Sequence, residues 1–73
     1  MKFETPDIAT AAFLLMRGLK LVSAANKTGK YSFVFDDPQN QALSLCLEFI
    51  NSECSVFDSH MRTLRGILRD AKN

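Results

Sequence analysis

An α+β fold is predicted, ordered helix, strand, strand, helix, a link or short strand, helix, with the helices packed on one face of a small antiparallel sheet. Three observations carry this. Two capping residues followed by proline, Thr5-Pro6 and Asp37-Pro38, each precede an apolar helical run. Between those runs, Tyr31, Phe33 and Phe35 alternate with Ser32, Val34 and Asp36 at the period of a half-buried strand. After them, Met61, Leu64, Ile67, Leu68 and Ala71 recur at helical spacing.

Taken in order, Thr5 caps, Pro6 suits a first helical position and Asp7 complements the positive end of the helix dipole. The helix then runs from Ile8 to Arg17 and stops at Gly18, which adopts a left-handed stop conformation cheaply. Its sequence, IATAAFLLMR, is apolar nearly all round, and such a helix is buried nearly all round. Leu19 to Ala25 reads as a strand. The turn Asn26-Lys27-Thr28-Gly29-Lys30 carries the asparagine and glycine that hairpin loops favour. Tyr31 to Asp36 returns, giving a hairpin with Tyr31, Phe33 and Phe35 on its inner face. Asp37-Pro38 opens a second helix to about Glu53. On it, Ala42, Leu43, Leu45, Cys46, Leu47, Phe49 and Ile50 cover an arc of about 200° at 100° per residue. Ser55-Val56-Phe57 is a link or a minimal edge strand. Asp58 then caps a third helix ending near Ala71, with His60 inside its apolar stripe.

Seventy-three residues make one domain, 1–73, and 47% apolar with 23% charged residues is a globular composition. So short a chain buries only about 60–65% of the surface its unfolded form exposes, which calls for a disulfide, a metal or a partner subunit. Cys46, Cys54 and His60 are the only cysteines and histidine, short of the four ligands of a structural zinc site, so no metal and no cofactor is expected. Read as residues of one helix, Cys46 and Cys54 stand about 12 Å apart along its axis. A disulfide needs a Cα separation of about 5.5 Å. Free thiols suit a reducing compartment, and a partner subunit is the remaining means of stabilisation. The longest apolar run, Ala11 to Met16, is too short to span a bilayer, and no basic stretch with a cleavage site opens the chain. A cytoplasmic protein with no membrane partner is expected.

The opening Phe3-x-Thr5-x-Asp7, the Ile8-Ala9 pair and the apolar helix ending at Gly18 form one pattern with the Phe33-x-Phe35 hairpin and the arginines of the last helix. This pattern resembles a family of small bacterial and phage domains known as a domain of unknown function. The likeness spans most of the chain. It implies the same fold and a phage or mobile-element setting, and it carries no activity.

Two groups of residues are candidates for function. Arg62, Arg65 and Arg69 stand within about 60° of one another on the third helix, with Lys72 near the same line. Arginine's planar fork grips phosphate or carboxylate, whereas a solvated face with Arg62 paired to Asp58 is the plain account of the same residues. The second group is a candidate oligomer interface: Ile8, Ala12, Leu15 and Met16 of the first helix, or Val22 and Val34 on the outer hairpin face. Cys54, Asp58 and His60 could be imagined as a nucleophile, orienting carboxylate and base, but no catalytic signature surrounds them. Their plain account is a helix end, a cap, and a ring packed on the core. Gly18, Gly29 and Gly66 are isolated, so no phosphate loop exists. A net charge of +1 creates no field toward nucleic acid. The expected function is a non-enzymatic protein-interaction module acting as a homo-oligomer, most simply a dimer, that engages another protein. The alternatives are a nucleic-acid-binding accessory protein using the basic helix and, behind that, a binder of a nucleotide or small ligand.

Overall fold

The structure, a computed structural model, describes residues 1–71. They form an α+β fold of three helices and one three-stranded antiparallel sheet. The order is β1 (Lys2–Thr5), α1 (Ile8–Met16), β2 (Lys20–Lys27), β3 (Lys30–Asp36), α2 (Ala42–Ile50) and α3 (Glu53–Asp70). Strands lie in the order β1-β3-β2, so β3 is central and both other strands are edges.

The first correction to the sequence reading is β1. Its residues pair with the far end of the hairpin, Phe3 opposite Phe35 and Thr5 opposite Phe33. Thr5 therefore belongs to a strand, and the helix cap passes to Asp7. The Asp7 carboxylate accepts from the Thr10 backbone N–H at 2.9 Å and its hydroxyl at 2.7 Å. Thr5 supports the corner by accepting from the Asp7 N–H at 3.2 Å. At the other end of α1, Gly18 has φ +98°. The Gly18 N–H donates to the Leu15 carbonyl and the Leu19 N–H to that of Leu14, the paired bonds of a Schellman stop.

The hairpin closes through Thr28 and Gly29, both at positive φ, in a two-residue turn whose twist matches the strands. A bulge between Leu21 and Ser23 takes Val22 out of the ladder. Its aromatic face is covered unevenly. Phe35 is 0% exposed, Phe33 is half-buried, and Tyr31 at the distal end is 46% exposed. The opposite face is polar: Lys2 pairs with Asp36, and the Ser32 hydroxyl donates to Glu4.

Beyond β3, the buried Asp37 carboxylate accepts from the backbone N–H groups of Gln41 (2.8 Å) and Ala42 (3.1 Å). It serves as the cap of α2 from four residues upstream, because the Asp37–Asn40 turn intervenes. The second helix is thus shorter than expected at both ends. Its last turn breaks at Asn51-Ser52, and the Ser52 hydroxyl donates to the Phe49 carbonyl at 2.7 Å. The expected link strand at Ser55-Val56-Phe57 is helical, the opening of α3. Asp58 sits inside that helix instead of capping it. The break also places Cys46 and Cys54 on different helices, where both are free thiols. The same-helix argument against a disulfide therefore does not apply.

The core gathers Ala11, Phe13 and Leu14 of α1, Leu19, Phe35 of β3, and Ala42, Leu45 and Phe49 of α2. The Phe13 and Phe49 rings meet at 5.4 Å between centroids. Arg17 ties α1 to α2 through Glu48. No residue of α3 is buried.

Candidate interaction surface

An 18-residue helix without a buried side chain is unusual when its sequence is amphipathic. Leu64 is 58% exposed and Leu68 71% exposed, with Val56, Phe57 and Ile67 comparably open. His60 is exposed too, not packed by its ring against the core. The cause is position. The α3 residues that line the groove against α1 run from Glu53 to Arg65, and none beyond Arg65 does.

Where the two helices run together they leave an open groove of about 530 Å³. Ile8, Ala12 and Met16 form its α1 wall, and Cys54, Phe57 and Met61 its α3 wall. Phe13 and Phe49 reach it from the core, so groove and core are continuous. Charge is confined to the lining residues Glu53, Asp58 and Arg65, all on α3.

Two general measures show how much surface this arrangement leaves in water. The accessible area is 5663 Å². A compact monomer of this mass is expected to expose about 4,500 Å². The Cα radius of gyration is 14.0 Å. About 11 Å is expected for this length.

Of the arginine stripe, Arg62 is already committed. Its guanidinium donates to Asp7 at 2.7 Å and pairs with Asp58 at 3.0 Å, joining α3 to the capped start of α1. Burial pushes the Asp7 carboxyl up, but the Thr10 hydrogen bonds and the Arg62 charge outweigh it and hold Asp7 below its ordinary value. Arg65 turns toward the groove, and Arg69 is exposed and does not line it. Lys72 lies outside the described residues. The stripe is therefore divided between a structural tie and a groove rim, not presented as one surface.

The candidate interface residues divide as well. Ile8, Ala12 and Met16 share the groove, while Leu15 is half exposed and is not among its lining residues. Val22 is out of the ladder at the bulge, and Val34 is half-buried with Glu4 and Ser23 as its cross-strand neighbours. Phe57, assigned in sequence to a link, is the missed residue. Its signal was the spacing Cys54, Phe57, Met61, Leu64, Leu68, which continues one helical seam through the supposed link. A second exposed apolar row, Leu43, Leu47 and Ile50, runs along α2.

Among the described residues, no hydrogen bond joins Cys54, Asp58 and His60, and no cluster of three or more His, Cys, Asp or Glu could hold a metal ion. No helix among them is long and apolar enough to cross a membrane. Comparison with family models, curated proteins and solved structures finds no match.

Proposed function

We propose that this chain is a non-enzymatic protein-interaction module that acts as a homo-oligomer, most simply a symmetric dimer, and engages another protein. One observation carries the reading: the chain leaves about 1,100 Å² more surface in water than a compact monomer of this mass would, and the exposed apolar side chains of α3 are part of it. A standard interface hides about 800 Å² on each partner, so one such contact would absorb most of the excess. The polar pairs Lys2–Asp36 and Glu4–Ser32 support a helical layer on one face of the sheet, leaving the other face to solvent. The resemblance of Phe3, Thr5, Asp7 and the hairpin to a phage and bacterial family adds a setting: a cytoplasmic accessory or host-defence-modulating factor.

The nucleic-acid reading is the weaker one. Arg62 already faces two carboxylates, which leaves Arg65 and Arg69 as the described cations of the stripe. Light scattering at micromolar concentration tests the preferred reading, with a mass of two chains expected. A parallel DNA and RNA titration at low salt separates the alternatives. Tight binding that weakens steeply with salt, from a chain that scatters as a monomer, would reverse their order.

A further inference from the structure

The seam residues of α3 and its C-cap are Cys54, Phe57, Met61, Leu64, Leu68 and Ala71. Their intervals are three, four, three, four and three residues, the heptad alternation of a helix that packs along another helix. The same intervals read identically from either end. A twofold axis crossing α3 between Arg62 and Thr63 therefore lays the seam onto itself in antiparallel sense. It matches Met61 with Leu64, Phe57 with Leu68, and Cys54 with Ala71. The first three of these residues line the groove, and the last three are exposed and do not line it. The half that needs cover and the groove that needs filling belong to one molecule, at symmetric positions on one helix.

Charge follows the same axis. Asp58 and Arg65 both edge the groove, one on each side of the axis, with Arg65 two residues from the position symmetric to Asp58. In an antiparallel pair each Arg65 approaches the partner's Asp58, twice per dimer. Asp58 uses one oxygen for Arg62, and a carboxylate has further acceptor capacity for a second guanidinium.

We infer that the occupant of the α1–α3 groove is the Leu64–Leu68 half of α3 from a second copy of this chain. The exchange is reciprocal, and the paired α3 helices run antiparallel about Arg62–Thr63. This rests on the self-association proposed above and specifies its interface. The seam spans about 26 Å of helix, and its contact is isologous, so it closes at two copies.

The test measures mass by light scattering at tens of micromolar for the parent, for Leu64→Glu/Leu68→Glu, and for Leu43→Glu/Leu47→Glu. The parent and the α2 variant are expected as dimers. The α3 variant should scatter as one chain, its dissociation constant raised about a hundredfold or more by carboxylates in an apolar seam. A monomeric parent would remove both the self-association and this interface. A dimeric parent whose α3 variant stays dimeric overturns this interface alone, and dissociation of the α2 variant instead would move the contact to Leu43 and Leu47.

A charge exchange provides a check that leaves the seam itself untouched. Asp58→Lys and Arg65→Glu should each weaken self-association, because like charges then face each other across the axis. Mixed, the two variants should form a heterodimer in preference to either homodimer, since its two cross pairs, one parental and one reversed, are both opposite in sign. Random pairing of the two variants would contradict the antiparallel arrangement.

Discussion

The base of the hairpin and the third helix are built from similar apolar side chains and end in opposite states. Around Phe35, three helical and strand segments converge and the ring is wholly buried. Along α3, the leucines are as apolar and as regularly spaced, yet none is buried. Burial depends on whether another element of the same chain can reach the surface in question. Here the chain has six elements, and β1, α1, β3 and α2 supply the core together with Leu19, while β2 lies exposed along the sheet edge. The sixth, α3, is held by its first turns and by Arg62, with its apolar seam left over.

The largest difference between the regions should appear on truncation. Phe35→Ala should cost about 3–5 kcal/mol, enough to unfold so small a domain in urea titration. Leu68→Ala should change the stability of the dilute chain by less than about 0.5 kcal/mol. A comparable cost for both would mean that α3 is stabilised within one chain, which breaks the comparison. The Asp37 cap comes next. Asp37→Ala leaves two buried-side N–H groups of α2 without their acceptor and should cost about 1–2 kcal/mol in the same titration.

The Asp7–Arg62 tie is worth less, because Arg62 is largely in solvent. Asp7 has a folded value below the ordinary 3.8, so in acid the unfolded chain takes up its proton first. Its contribution is fully present above the unfolded value and is lost as the pH falls through the folded one. Unfolding followed from pH 6 downward should therefore show a decline in the parent that is shallower in Asp7→Asn, with a total difference below about 1 kcal/mol. A steeper decline in the variant would contradict the assignment. Gly66 gives the smallest effect and sharpens the comparison from the other side. A methyl group there meets only the Arg69 side chain at 3.9 Å. Gly66→Ala should stabilise α3 by about 0.5–1 kcal/mol and raise the helicity seen by circular dichroism, without touching the core.

Parts of this architecture were legible in the residues, and the failures share a cause. The stop at Gly18 and the hairpin from Leu19 to Asp36 depend on local conformational preference, which sequence displays directly. The strand at Lys2–Thr5 depends on a partner thirty residues away, and Thr5-Pro6-Asp7 reads more naturally as a helix start. The break at Asn51-Ser52 contains neither glycine nor proline. It is held by a serine hydroxyl bonded to a carbonyl, a signal weaker than the apolar run on each side. The periodicity of α3 told which side chains share a face, but periodicity does not say what covers that face. Nor could it show that Arg62 reaches back fifty-five residues to Asp7 and leaves the basic stripe divided.

The central proposal is that the apolar seam of α3, left open within its own chain, is covered by a second copy. Backbone hydrogen exchange measured across a dilution series tests this most directly. At low concentration the amides of Phe57 to Leu68 should exchange quickly while those around Leu14, Phe35 and Leu45 remain protected. As concentration rises into the dimeric range, protection of the α3 amides should climb toward that of the core. Protection of α3 that is high at every dilution, or low at every concentration, would contradict the account.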